Sequence, residues 1–292
     1  MPSPTDPHAA PARPHTAGHP DAPPDIRLIV TDMDGTLLDE HGEIPGDLWP
    51  LLAELRRDGV LFCPASGRQY ATLAAQFADA GDGMVFIAEN GSYVVRDGRE
   101  VSSDPLTDSF VREVVAATRE LAASGVDVGA VLCGKKSAYV ERTDPAFLAE
   151  AAKYYTLLTP VADLTDVDDT FIKVAAFDFG PAEQSTAPAL QPFDATHQVV
   201  VSGKHWVDLM NSTANKGAAV RRLQRELRIT PAQTMVFGDY LNDLEMLDEA
   251  EWSFAMANAH PEVIARARLL APANSESGVP RTIRRVLGLT DA

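Results

Sequence analysis

Two carboxylates stand two residues apart where an apolar segment of the sequence ends. Asp32 and Asp34 follow the apolar run at residues 28–30, and Gly35 comes directly after them. At the end of a buried strand, one carboxylate of such a pair can attack as a nucleophile or hold a metal while the other donates and accepts a proton. Gly35 would let the backbone turn sharply and approach a ligand. Taken alone, the pattern is more typical of an ordinary acidic turn.

A second group of polar side chains follows another apolar run near the C-terminus. Asp239, Asn242 and Asp243 come after Gly238, which follows the run at residues 234–237. Carboxylate and amide oxygens at this density suit a hard cation such as Mg²⁺, which prefers oxygen ligands. The alternative is a turn followed by a helix N-cap.

Two further segments offer groups that can bind an anion. Ser66 and Gly67 lie in a Ser-Gly-Arg segment after the apolar run at residues 60–63. A hydroxyl and backbone amides at a helix N-terminus form an anion-binding corner. Lys216 opens a later helical segment and could supply the positive charge that a phosphate dianion requires. An N-cap serine and a surface lysine are the respective alternatives.

The segments around these groups alternate between short apolar runs and helical patterns. Leucines at helical spacing between residues 48 and 55 separate the first two runs, and a last helix is predicted to end at Gly288. The alternation predicts a parallel, doubly wound sheet, in which ligands bind beyond the carboxyl ends of the strands. The predicted strands of this sheet lie at residues 28–30, 60–63, 85–88, 234–237 and 252–255.

Three regions of the chain differ in composition. Residues 1–24 are rich in proline and almost lack apolar side chains, which predicts a disordered tail. Residues 25–103 and 208–292 carry the alternation of strands and helices and are predicted to form the core. Residues 104–207 are less regular, with a helical pattern at 145–155, and are predicted to form an inserted α+β domain.

These motifs, in this order, resemble those of the haloacid dehalogenase superfamily of phosphatases. The resemblance rests on DMDGTLL at residues 32–38, SGR at 66–68, the helix-opening Lys216 and GDYLND at 238–243. It covers essentially all of the chain after the N-terminal tail. The motifs are specific for the fold and the class of reaction and much less specific for the substrate.

The long insertion narrows the resemblance to one branch of that superfamily. Together with Glu89-Asn90-Gly91 and the segment at residues 255–259, it is similar to the Cof-type branch with a C2-type cap. The resemblance implies an α/β fold, with a doubly wound, parallel-sheet, Rossmann-like core and an inserted α+β cap at residues 104–207.

The resemblance also implies a Mg²⁺-dependent phosphatase that works through an aspartyl-phosphate. Asp32 would attack phosphorus, and Asp34 would protonate the leaving alcohol and then activate the hydrolytic water. Asp239 would bind Mg²⁺ with Asp32 and the backbone carbonyl of Asp34, and Asp243 would support the metal shell. Asn242 would contact the phosphate or orient Asp32. The other residues implied to contact the phosphate are Thr36, Ser66, Gly67 and Lys216.

Charge and cysteine content restrict the class of protein. Lys and Arg number 25 against 42 Asp and Glu, and the net charge of −17 argues against a nucleic acid or an anionic membrane as the partner. Cys63 and Cys133 lie in apolar surroundings and are interpreted as small buried hydrophobic side chains. No signal peptide and no apolar run of transmembrane length is found, which favours a cytoplasmic protein acting on a small phosphorylated metabolite.

Two other functions stay open at this point. A phosphotransferase or phosphomutase would use the same covalent chemistry and pass the phosphoryl group to another sugar. A non-catalytic phosphometabolite-binding protein would not need both Asp32 and Asp34. Substrate choice is expected to lie with the cap, where Trp206 and Met210 are interpreted as core or hinge packing. The candidate charged contacts of the cap, each more typical of an exposed solvated charge, are Lys135, Lys136, Arg142, Lys173 and His205.

Overall fold

A computed structural model describes residues 23–290 of the chain. The predicted disordered tail at residues 1–24 therefore lies almost wholly outside the described residues. The chain divides into two compact units, which we call the first and the second unit. The first comprises the described residues up to Val60 and those from Ile229 onward, and the second comprises Leu61–Arg228. The domain bounds predicted from the sequence, with a cap at residues 104–207, stay a prediction.

Strands and helices alternate through both units. The strands are β1 (Leu28–Asp32), β2 (Leu61–Ala65), β3 (Val85–Ala88), β4 (Tyr93–Arg96), β5 (Arg99–Ser103), β6 (Val128–Gly134), β7 (Ala138–Val140), β8 (Leu158–Pro160), β9 (Phe171–Asp178), β10 (His197–Gly203), β11 (Trp206–Asn211), β12 (Thr234–Gly238), β13 (Trp252–Met256) and β14 (Leu269–Ala271). The helices are α1 (Leu48–Arg57), α2 (Tyr70–Gln76), α3 (Asp108–Ala123), α4 (Pro145–Ala151), α5 (Thr186–Leu190), α6 (Lys216–Leu227), α7 (Leu244–Asp248), α8 (Pro261–Arg266) and α9 (Gly278–Leu287).

The first unit is built on four parallel strands in the order β14-β13-β12-β1. Leu28, Ile29 and Val30 of β1 are completely buried, which explains the unbroken apolar run, because parallel strands are covered on both faces. Helices α1 and α9 contact each other. Helix α9 ends at Gly288, whose φ of 68° makes it the left-handed cap that the sequence predicts.

The second unit contains two sheets. In the smaller sheet β2 pairs in parallel with β3, and the antiparallel hairpin β4-β5 continues it, while helix α6 packs against β3, β4 and β5. The larger sheet has the order β10-β11-β9-β6-β7-β8. Helices α3 and α5 cover one face around Val114, Leu132 and Val174, and helix α4 covers part of the other around Phe147 and Phe177.

The hairpin β4-β5 is an element that the sequence analysis missed. Its turn is Asp97-Gly98, and these two residues have φ values of 49° and 71°. Both values are positive, as a two-residue turn between right-twisted strands requires, and Asp-Gly is a standard sequence signal for such a turn. A second hairpin lies around Gly203, where β10 and β11 pair antiparallel.

The helix predicted at residues 145–155 is wrong in its last turn, since helix α4 ends at Ala151. Asp144 caps its beginning by accepting a 3.1 Å hydrogen bond from the backbone N–H of Phe147. Tyr155 leaves the helical path and is buried, with its ring centroid 6.2 Å from that of Trp206. Packing of this aromatic ring therefore overrides the helical periodicity of the segment.

Several expectations about individual side chains are confirmed. Cys63 and Cys133 are both buried, and burial raises the pKa of each thiol. Trp206 and Met210 are buried as predicted. Within residues 23–290, no helix combines the length and the apolar character needed to cross a membrane.

Replacing Phe254 by alanine tests the core of the first unit. The side chain is completely buried and stacks on Phe237 with ring centroids 5.0 Å apart. We expect Phe254→Ala to lower the free energy of unfolding by about 3–5 kcal/mol, because it removes buried apolar surface and leaves a cavity. Urea unfolding followed by circular dichroism measures the change. Val201→Ala, at a side chain 39% exposed, is the control and should change stability by less than about 0.5 kcal/mol; equal losses would contradict the packing described here.

Candidate active site

Asp32 stands at the last position of β1, where the buried strand opens into a turn at residues 33–37. Its side chain is buried, whereas that of Asp34 two residues later is exposed. Gly35 in the same turn has a φ of 76°, a conformation that side-chain-bearing residues rarely adopt. The two carboxylates predicted from the sequence thus lie in different environments, one inside and one facing solvent.

Three carboxylates of the first unit converge on one point. Asp32, Asp239 and Asp243 each contribute one oxygen, and these oxygens all lie within 4.8 Å of one another. Like charges this close repel unless a cation lies among them or one of them is protonated. Among the described residues no other acidic, histidine or cysteine side chain joins this group. Asp34 could still take part through its backbone carbonyl, and that expected role stays a prediction.

Side chains and backbone amides hold two of these carboxylates in place. The Thr36 hydroxyl donates a 2.7 Å hydrogen bond to Oδ1 of Asp239. Oδ2 of Asp243 accepts from the backbone N–H groups of Asp239 at 3.0 Å and Tyr240 at 3.3 Å. Gly238 leaves the room that this arrangement needs, since a Cβ there would lie 2.6 Å from Cβ of Asp243.

The turn after β1 is fitted closely around the same carboxylates. A Cβ on Gly35 would lie 2.3 Å from Oδ2 of Asp239, so no other residue fits without moving that side chain. The Asn258 amide donates a 2.8 Å hydrogen bond to the carbonyl of Gly35. Asn274 donates a 2.8 Å hydrogen bond from its amide to the carbonyl of Leu38, and its backbone N–H donates to Asn258 at 3.1 Å.

The two asparagines, Asn258 and Asn274, lie beside the turn after β1, and the sequence analysis assigned neither a role. Asn258 lies in the segment at residues 255–259 that contributed to the family resemblance, so a signal existed for it. No pattern in the sequence marked Asn274, which begins a short turn before α9. Both support the backbone of the turn that carries Asp34 and Gly35.

The donor set of this acidic cluster fits a magnesium ion. All the available ligand atoms are oxygens, and three carboxylates supply the negative charge that a small divalent cation needs. The cation would in turn offset the repulsion among the carboxylates. Asp32, Asp239 and Asp243 are the side chains that would hold it.

The second unit contains the anion-binding candidates. Ser66 is buried directly after β2, and its Oγ accepts a 3.2 Å hydrogen bond from the backbone N–H of Arg68. Its backbone N–H donates to the carbonyl of Ile87 at 2.9 Å, and its own carbonyl accepts from the N–H of Asn90 at 2.9 Å. The segment of Ser66 and Gly67 is therefore fixed to the end of β3 by main-chain hydrogen bonds on both sides.

Lys216 is the first residue of helix α6 and is 1% exposed. The preceding Asn215 caps the helix by accepting a 2.7 Å hydrogen bond from the N–H of Ala218. The interpretation of Lys216 as a surface lysine is therefore wrong. A lysine buried at a helix N-terminus, where backbone amides also point, is well suited to hold an anionic group.

Of the remaining predicted residues, Thr36 is buried against Asp239, while Asn242 is exposed in the loop after β12. The charged cap residues do not all behave as expected. Lys136 is exposed as predicted. The interpretation of Lys173 as an exposed charge is wrong, because the residue is only 2% exposed.

Comparison with known proteins gives consistent results. A family model described as haloacid dehalogenase-like hydrolase matches residues 29–283. The chain is 33% identical to the 5-amino-6-(5-phospho-D-ribitylamino)uracil phosphatase YbjI of Escherichia coli over 90% of its length and 96% of that protein. It is 28% identical to the HMP-PP phosphatase of Yersinia enterocolitica, over 81% of this chain and 86% of that protein.

Solved structures agree on the fold. A crystal structure of a protein from Eubacterium rectale matches with a TM-score of 0.80 at 26% identity, over 89% of this chain and 98% of that one. A sugar phosphatase of subclass IIB of the haloacid dehalogenase superfamily matches with a TM-score of 0.72 at 21% identity, over 90% of this chain and all of that one. The second likeness concerns the fold alone.

Replacing Gly35 by alanine tests whether the turn is fitted to Asp239. We expect Gly35→Ala to lower the affinity for Mg²⁺ by about tenfold or more, because the new Cβ must displace a carboxylate that positions the ion. Isothermal titration calorimetry with MgCl₂ measures the affinity, and thermal unfolding measures the stability.

The matched control is Gly42→Ala. Gly42 has nearly the same φ, 77°, but nothing lies within 4 Å of the position of its Cβ. Both variants should lose about 1–2 kcal/mol of stability from the left-handed backbone, and only Gly35→Ala should lose affinity for the ion. Equal affinities in the two variants would show that the close approach to Asp239 does not matter for the metal.

Proposed function

The chain belongs to the haloacid dehalogenase-like hydrolases and is a phosphoric monoester hydrolase, and on that premise we propose that it hydrolyses small phosphorylated metabolites through a Mg²⁺-dependent aspartyl-phosphate intermediate. Its fold is the α/β fold of that family, a Rossmann-like parallel sheet with an inserted α+β cap. The observation that carries the proposal is the convergence of Asp32, Asp239 and Asp243 at the carboxyl ends of β1 and β12. Ligands bind at this edge of parallel α/β sheets.

In the first step an oxygen of Asp32 attacks phosphorus, and the bond from phosphorus to the ester oxygen breaks. Asp34 gives its proton to the departing alcohol. The phosphoryl group is then carried on Asp32 as a mixed anhydride. The burial of Asp32 and the hydrogen-bonded, closely fitted turn that follows it favour this role, since a nucleophile is most effective when it is held in one orientation.

In the second step Asp34 accepts a proton from a water molecule, whose oxygen attacks phosphorus. The bond between phosphorus and Asp32 breaks, inorganic phosphate leaves, and both carboxylates regain their starting protonation states. The exposed position of Asp34 supports this alternating role, because an exposed group exchanges protons readily with solvent.

Charge neutralisation is the main demand of this chemistry. The transferred phosphoryl group carries its negative charge on three oxygens, so catalysis depends mostly on positioning and on positive charge. We assign the phosphate oxygens to Thr36, Ser66, Gly67, Lys216 and Asn242. A bound Mg²⁺, held by Asp32, the backbone carbonyl of Asp34, Asp239 and Asp243, would supply electrostatic stabilisation of the phosphoryl oxygens.

The relatives suggest where a search for the substrate should begin. Their printed names include a phosphatase of 5-amino-6-(5-phospho-D-ribitylamino)uracil at 33% identity and an HMP-PP phosphatase at 28% identity. We propose the first of these compounds as the first substrate to assay. Its turnover should be compared with the turnover of a panel of sugar phosphates and phosphorylated cofactors.

Replacing Asp32 by asparagine tests the covalent mechanism. We expect Asp32→Asn to reduce kcat for p-nitrophenyl phosphate by about 1,000-fold or more, because an amide is a poor nucleophile. Removing divalent cations with EDTA should abolish turnover, and added MgCl₂ should restore it. Asp58→Asn, at a carboxylate exposed to solvent in the same unit, is the matched control and should retain full activity.

The product distinguishes hydrolysis from transfer. Release of one inorganic phosphate for each ester consumed supports hydrolysis, whereas an isomerised sugar phosphate would identify a phosphomutase. Full turnover by Asp32→Asn, or full turnover in EDTA, would contradict the proposal.

A further inference from the structure

Lys173 is a cationic side chain buried in the second unit, where none is expected. It lies on β9 of the larger sheet, next to Cys133 in the register of β6, and only 2% of the residue is exposed. The aromatic ring of Tyr155 lies 5.5 Å from its Nζ. Burying an ammonium group is costly unless charged and polar partners compensate for the lost hydration.

The partners of Lys173 come from both sheets of the second unit. Its Nζ lies 2.5 Å from Oε2 of Glu89 and 3.9 Å from Oδ2 of Asp208, and it donates a 3.3 Å hydrogen bond to the carbonyl of Gly67. Burial by itself lowers the pKa of Lys173, but the two carboxylates outweigh that effect and hold its pKa well above the usual value. The two carboxylates therefore favour the charged form of this side chain.

Glu89 begins a turn with an unusual backbone. Glu89, Asn90 and Gly91 have φ values of 49°, 55° and 101°, so three successive residues lie in the left-handed region. For Glu89, which has neither the missing Cβ of glycine nor the short side chain of asparagine, such a conformation costs free energy and persists only where neighbouring interactions enforce it. The ion pair with Lys173 is one such interaction, because it ties down the side chain of this residue.

This turn contacts both segments assigned to the phosphate. The N–H of Glu89 donates to the carbonyl of Arg68 at 3.1 Å, and the N–H of Asn90 donates to the carbonyl of Ser66 at 2.9 Å. On the other side, a Cβ on Gly91 would lie 2.3 Å from the carbonyl of Asn215. The backbone of the turn is thus pressed against the residue that caps helix α6, one position before Lys216.

We propose that Lys173 is a positioning residue, which uses its ion pair with Glu89 and its hydrogen bond to Gly67 to set the relative placement of the Ser66-Gly67 segment and Lys216. The inference rests on the proposed function, because it concerns how the phosphate-binding segments are held. The proposed role of Lys173 links the larger sheet, which lies mainly in the predicted cap, to the binding of the phosphate group. Lys173 need not touch the substrate to have this effect.

A purely structural role would be an unusual use of this ion pair. Buried ion pairs often contribute little net stability, and uncharged groups of similar shape can replace them without loss. A positioning role predicts instead that such a replacement preserves the fold and disturbs the binding of phosphate. These two outcomes can be measured separately.

The test uses the full chain with Lys173→Met, Glu89→Gln and the double variant. The single Lys173→Met leaves a buried carboxylate without its cation and should lower the thermal midpoint. The double variant replaces both charges of the pair by uncharged side chains of similar length. It leaves only Asp208, 3.9 Å away, without the cation, and should recover most of the lost midpoint. The readout is the inhibition constant of inorganic phosphate against p-nitrophenyl phosphate at saturating MgCl₂, because this probe has no leaving group.

We expect the double variant to raise the inhibition constant of phosphate about tenfold, since small displacements of positioning groups have large effects on a bound anion. The KM should rise in parallel. The matched control is Lys153→Met, which removes a lysine of the same unit whose Nζ lies 2.7 Å from Oε2 of Glu150. Its inhibition constant should stay within about twofold of the wild type.

A double variant that folds with the inhibition constant of the wild type overturns the inference. So does a failure of both Glu89→Gln and the double variant to fold while Lys153→Met folds, because the ion pair would then be required for folding itself. If the wild-type protein neither releases phosphate from the ester nor is inhibited by phosphate, the proposed function fails as well. The wild-type protein is assayed in this way before any variant is made.

Discussion

Electrostatic repulsion among carboxylates is the constraint on which the candidate site depends. The first unit brings oxygens of Asp32, Asp239 and Asp243 to within 4.8 Å of one another, an arrangement that separate acids in water would avoid. Folding must supply what offsets it, and the surrounding residues show how. A threonine hydroxyl and two backbone amides donate to these carboxylates, and two glycines leave the space for them to approach. In the proposed function a bound Mg²⁺ would complete the compensation.

The second unit buries positive charge, although the protein as a whole is strongly acidic. The chain carries a net charge of −17, yet Lys173 and Lys216 are each at most 2% exposed. Most of the acidic surplus is therefore a property of the surface and says little about the potential in a pocket. In the proposed function an anionic substrate is attracted by a few buried groups whose fields are poorly screened by water.

Residues that act through a short sequence motif could be predicted, and residues that act through a distant contact could not. The apolar strands β1, β2 and β12 lead directly to Asp32, Ser66 and Asp239. The apolar runs in the sequence and the types of the residues that end them are therefore sufficient to predict these three as candidates. Lys173 has no such signal in the sequence. Its partner Glu89 follows β3 of the other sheet in the second unit, and only the fold brings the two side chains together. Tyr155 shows the same limit of prediction from sequence. Its segment has a helical pattern, but helix α4 ends at Ala151 and the Tyr155 ring packs near Trp206.

The turn Glu89-Asn90-Gly91 has a consequence for how such proteins diversify. It joins the Ser66 segment to the start of helix α6 through the backbone, although the whole inserted region lies between them in the chain. The length and architecture of an insertion can therefore change without altering that junction. On this view the insertion predicted at residues 104–207 is a replaceable module, and an engineered graft would need to carry over one cation in the place of Lys173 to remain compatible with its host.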